Sequence, residues 1–181
     1  MTMKLSTLSI LLGLAVAAPN AYGVLRPKAF GDALRRFPRS NTWGYVLVML
    51  ATFWFVWNLS RESIADFESL KPALFALFIA VGIGTCVFVK DFIAVRGLAV
   101  LLLLLAKLMV DTARWADSNF RLVIVTWAYV WVVAGIWFTI SPWRLRDLVY
   151  WKTASEKRIQ TLSAVRLCFG LFVAILGFTV F

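Results

Sequence analysis

The sequence predicts an all-α integral membrane protein with about six transmembrane helices, joined along the chain as three helical hairpins. Three observations predict it. Apolar residues fill 62% of the 181 positions and charged residues 15%, against about 45–50% and about 25% in a soluble domain. A soluble fold of this length has too little interior to hide that much apolar surface. The apolar residues also fall in continuous runs, not in the alternation of a membrane barrel.

Unpaired backbone groups cost several kcal/mol each in lipid, so such runs should be helical. A ~30 Å hydrocarbon core takes about 20 helical residues. The runs lie near 5–25, 42–59, 72–89, 97–115, 120–141 and 163–181 and make one transmembrane domain of residues 1–181.

The first span, 5–25, is the least clean. Lys4, the apolar core 8–18 and the small residues Ala15, Ala17, Ala21 and Gly23 also resemble a secretory leader. Pro19 removes a backbone N–H and Asn20 follows it, so the two form a secondary candidate polar site. Residues 26–39 set Phe30, Leu34 and Phe37 against Arg35, Arg36 and Arg39, an amphipathic helix for the headgroup plane that starts near Pro27.

After the second span, the link 60–71 reads as a short outer helix. Ser60 is its expected N-cap, with Ile64, Phe67 and Leu70 along one side. The third span carries Ala76, Ala80, Gly82 and Gly84, a small-residue face suited to close packing. The fourth holds the run Leu101 to Leu105, and the fifth places Trp127 and Trp131 four apart on one face. Beyond Pro142, residues 144–162 place Leu145, Leu148, Val149, Ile159 and Leu162 among basic side chains, a second interfacial helix. Gly170 and Ala174 give the sixth span its own small face.

Orientation follows from Lys and Arg. Arg26, Lys28, Arg35, Arg36 and Arg39, then Lys90 and Arg96, then Arg144, Arg146, Lys152, Lys157, Arg158 and Arg166 flank alternate span ends. The opposite ends hold only Lys4, Arg61, Lys71, Arg114 and Arg121. The positive-inside rule makes the richer side cytoplasmic, with both termini outside. Cleavage after the first span would reverse that bias, so the span is expected to stay. The stretch from Ser141 and Pro142 to the last span resembles small bacterial inner-membrane proteins in layout, which implies that location and carries over no functional residue.

The chain has no histidine and two cysteines. Chemistry that rests on an imidazole is excluded, whether zinc, haem or a Ser-His-Asp set. Cys86 and Cys168 are expected to be buried and inert. The spans contain one Lys or Arg away from their ends, Lys107. Counted from a start near Gly97 it lies ~15 Å into its span, near the bilayer centre, where a charge costs at least ~2.5–3.5 kcal/mol. Asp111 and Arg114 follow at i+4 and i+7, so Lys107, Asp111 and Arg114 form the candidate intramembrane polar site, expected to face inward. Trp127 and Trp131 read as packing, with a wall for a flat ligand as the rival.

The sequence thus predicts a non-enzymatic membrane component or accessory subunit, without catalytic, cofactor-binding or metal-ligating residues. A small transporter or channel using Lys107 and Asp111 is the alternative. Expected partners are membrane lipids, with anionic headgroups at the basic links, and a homo- or hetero-oligomer in the membrane. Nucleic acid is not expected, because the basic charge stays at the span ends.

Overall fold

The structure is a computed structural model that describes residues 4–62 and 65–181. Eight α-helices occur in the order α1 (Leu5–Leu25), α2 (Pro27–Arg36), α3 (Asn41–Arg61), α4 (Lys71–Phe88), α5 (Ile93–Ala113), α6 (Arg121–Ile140), α7 (Trp143–Lys152) and α8 (Glu156–Thr179). Short 3-10 turns at Phe37–Arg39 and Ala65–Leu70 precede α3 and α4, and no strand occurs among the described residues. Six helices are long and apolar enough to cross a membrane, namely α1, α3, α4 with its preceding turn, α5, α6 and α8. The chain is a multi-pass membrane protein.

Local chemistry sets the boundaries. α1 runs through Pro19 and ends at Leu25, where Arg26 leaves the helical region as a following proline favours. Pro27 then opens α2, where its missing N–H costs nothing. The Ser40 hydroxyl accepts from the Trp43 N–H at 3.3 Å and caps α3. Ser60 caps nothing: it lies in the last turn of α3 and donates to the Trp57 carbonyl. Ile64 lies outside the described residues.

α5 starts at Ile93, four residues before the expected Gly97, and follows Phe92 in a left-handed conformation, φ 54°. The second amphipathic helix is shorter than 144–162. α7 stops at Lys152, and Ser155 caps α8 by accepting from the Arg158 N–H at 3.2 Å. Ile159 and Leu162 therefore belong to α8.

The hairpins describe connectivity, whereas the contacts run otherwise. α1 packs most extensively on α8, α5 lies between α3 and α6, and α4 rests on α3. Small residues explain the first pairing. A Cβ on Gly13 would stand 2.5 Å from the Gly170 carbonyl oxygen, and one on Gly177 2.8 Å from that of Ser6. The two backbones touch antiparallel, with Ala17 and Ala174 beside the glycines.

α3 and α5 run parallel, with Gly97 pressed against Leu47 and Val48. Gly82 of α4 packs on Thr52, but a Cβ on Gly84 would meet only Phe88, and Ala76 and Ala80 are exposed, so the expected small-residue face is split. The main core joins Leu8 and Leu12 of α1, Ala106 and Met109 of α5, Ile124 and Ala128 of α6, and Val173 of α8.

The two short helices meet on one face of the bundle. Arg35 of α2 donates from Nε to the Thr153 hydroxyl at 2.9 Å and from Nη2 to its carbonyl at 2.6 Å. Lys28 pairs with Glu156 at 3.4 Å, and Arg146 of α7 lies 5.9 Å from the Phe92 ring centroid. The three basic links share that face. Trp43, Trp57, Trp115, Trp137 and Trp143 are exposed near the helix ends, as interfacial aromatics are.

Candidate functional site

Lys107 lies six residues before the end of α5, ~9 Å below it. It lies past the midpoint of α5, nearer to that midpoint than to the helix end, because α5 begins earlier than Gly97. Its ammonium donates to Asp111 Oδ2 at 2.7 Å and to Glu62 Oε1 at 3.2 Å. The first contact is the expected i,i+4 pair. The second comes from the end of α3 and ties that helix to α5. All three side chains are about half exposed, on the flank of the bundle and not in its core.

Arg114 does not join them through its guanidinium, which stacks over Trp115 at 5.5 Å from the ring centroid. Its carbonyl accepts from Arg121 at 3.3 Å. Glu62 is the partner that local spacing could not reveal, since the contact depends on how α3 and α5 are aligned.

Pro19 and Asn20 do not converge. Pro19 is exposed, while Asn20 is buried and donates from Nδ2 to the Val16 carbonyl at 2.8 Å. Its Oδ1 is buried without a partner, as are the hydroxyls of Ser9 and Ser163. Asn20 is near the basic end of α1, and Lys107 in the opposite half of α5, so the two candidate sites are separate.

Trp127 packs edge-on to Trp131 at 4.8 Å and to Phe169 of α8 at 5.0 Å. The pair is filled by neighbouring rings, which is the packing role. Cys86 is half-buried and Cys168 is exposed; both are free thiols, and the expected burial is not found.

Two further polar regions stand out. At the end of the bundle opposite the basic face, a cavity of ≈ 730 Å³ is lined by Lys4, Asp111, Thr112, Trp115, Asp117 and Phe181, among others. On the basic face Lys152 is 6% exposed and lies 5.0 Å from the Phe30 ring centroid. Burial, and then the charge of Arg166, lower its pKa to about 8. Among the described residues no cluster of three or more acidic or thiol groups is arranged to hold a metal. No family model, curated protein or solved structure matches the chain.

Proposed function

We propose that the protein is a non-enzymatic component of a bacterial cytoplasmic membrane, an accessory or scaffold subunit. The observation that carries this reading is the state of Lys107. Two carboxylates on the bundle flank neutralise it, and it bridges α3 to α5. That is the geometry of a structural ion pair linking two helices. The span hydroxyls of Thr52, Thr85 and Thr139 each donate to a carbonyl of their own helix, so they offer no relay towards it. Ala76 and Ala80, exposed on α4, would let a second helix approach closely, which supports a homo- or hetero-oligomer.

The basic face is the cytoplasmic one in this reading, both termini are outside, and α1 is retained as a span. Anionic headgroups, not nucleic acid, meet the basic links.

Transport of a small ion is the second reading. It is favoured by Asp111, which both pairs with Lys107 and lines the outer cavity beside Lys4 and Asp117. Reconstitution in liposomes separates the two. Wild type and the double variant Lys107→Met, Asp111→Asn are expected to insert equally and to pass neither protons nor small anions. Their stabilities should differ by no more than about 1 kcal/mol, because exposed ion pairs contribute little. Proton-coupled flux in wild type that disappears in Lys107→Met would establish transport instead.

A further inference from the structure

We propose that the groove between α3, α4 and α5 holds one acyl chain of an anionic phospholipid, with the lipid phosphate on Arg96. The inference rests on the membrane reading and adds a specific site to it. The groove has a volume of ≈ 380 Å³ and includes Val48, Phe55, Phe78, Val81, Arg96 and Val100 in its lining. Sites for small organic ligands start at about 300 Å³ and are mostly apolar with a few placed polar groups.

The polar atoms of this groove are divided sharply. Three hydroxyls reach it, and all are turned back on their own helices. Thr52 donates to Val48 at 2.9 Å, Thr85 to Val81 at 2.7 Å and Thr139 to Gly135 at 2.8 Å. Towards a ligand these walls are effectively hydrocarbon. Arg96 is different. Its Nε is buried without a hydrogen-bond partner, and it forms no ion pair among the described residues. A half-buried guanidinium with an unpaired donor and no ion pair is costly, and an anion on its terminal nitrogens lowers the cost.

Arg96 lies in the first turn of α5, at the basic face, while Phe55 and Phe78 lie deeper along α3 and α4. A charge at the membrane surface above an apolar slot has the order of head and tail in a bilayer lipid. Access is lateral, since α4 rests mainly on α3 and exposes Leu77, Ile79, Val81, Ile83 and Val87. A second apolar helix would fill the slot but leave Arg96 without its anion, so a lipid is the occupant the charge selects. A phosphate also accepts from two guanidinium nitrogens at once, and in phosphatidylcholine a quaternary ammonium competes for it.

The test uses the full chain in nanodiscs and in mild detergent, with phosphatidylglycerol and phosphatidylcholine as the probes. Native mass spectrometry should show one phosphatidylglycerol retained per chain, and thermal stability should rise with that lipid and not with phosphatidylcholine. Arg96→Gln should weaken retention at least tenfold, and Arg96→Lys less. Val100→Trp fills the slot with Arg96 intact and should also eject the lipid, so the proposal stays testable if Arg96→Gln fails to fold. Lys71→Gln, at the opposite end of α4, should leave retention unchanged. Equal retention of the two lipids, an unaffected Arg96→Gln, or a second copy of the chain in place of the lipid would overturn the proposal. A chain that fails to enter nanodiscs at all would overturn the membrane reading instead.

Discussion

At Lys152 the chain buries an ammonium against Phe30, with Arg166 as a repelling charge, and its pKa falls to about 8. The unfolded chain keeps the ordinary value of 10.5. Between about pH 8 and 10.5 the unfolded state therefore binds more protons, and stability should rise with pH across that window. Below pH 8 both states carry the charge and the penalty is present in full. It amounts to at most about 3 kcal/mol at ~1.36 kcal/mol per unit, reduced by the cation–π contact. Lys152→Met is expected to melt higher than wild type at pH 7 and to flatten the pH profile; melting curves in detergent from pH 7 to 10.5 check both. The same scale shows what local spacing can reveal. Lys107 and Asp111 are legible because i and i+4 share a helix face, whereas Glu62 is 45 positions away. Arg96 is missed altogether, since a link arginine gives no sign that its Nε is buried beside an apolar slot.

At the level of the helix, α1 and α8 are joined by absent side chains. Adding a methyl to Gly13 or Gly170 would force two backbones apart, since their Cβ atoms would stand 2.5 and 2.7 Å from carbonyl oxygens. Gly13→Ala should cost about 1–3 kcal/mol, the range for overpacking, and Gly13→Leu should prevent the pairing. Gly84→Ala is the control. Its Cβ would meet only Phe88 at 3.9 Å, so the gain in helix propensity, up to about 1 kcal/mol, should leave the protein as stable or more so. Thermal unfolding in one detergent compares all three. The six spans were legible in the sequence because length and apolarity are local. The partners of each span were not, because Gly13, Gly84 and Gly170 look alike until neighbours are assigned. The end of α7 was missed for a local reason: Ser155 is an N-cap that the continuing basic pattern obscures.

For the molecule as a whole, sidedness is the strongest expectation that joins sequence and structure. α2, α7 and the starts of α3, α5 and α8 are gathered on one face, and that face carries most of the arginines and lysines. Reporter fusions or cysteine labelling placed after Arg39, at Asp91 and at Ala154 should all read the cytoplasmic side. Sites at Asp117 and after Phe181 should read the opposite one. One site among the three basic links reading the other way would break the six-span order. α1 belongs to this frame by its packing: Leu5, Leu8 and Leu12 fill the main core. The intact protein is accordingly expected to retain Leu5–Leu25 by mass measurement, and a chain lacking it to be unstable in detergent.

The pairing of α1 with α8 also sets a clock on biogenesis. α1 leaves the ribosome roughly 130 residues before its main partner α8, on the order of ten seconds at usual synthesis rates. Throughout that interval the Gly13 and Ala17 surface of α1 lacks the α8 backbone that covers it in the complete fold. The α1–α8 interface therefore closes only once α8 has been made, and a chain stalled before Gly170 would be inserted but incomplete, a natural target for membrane quality control.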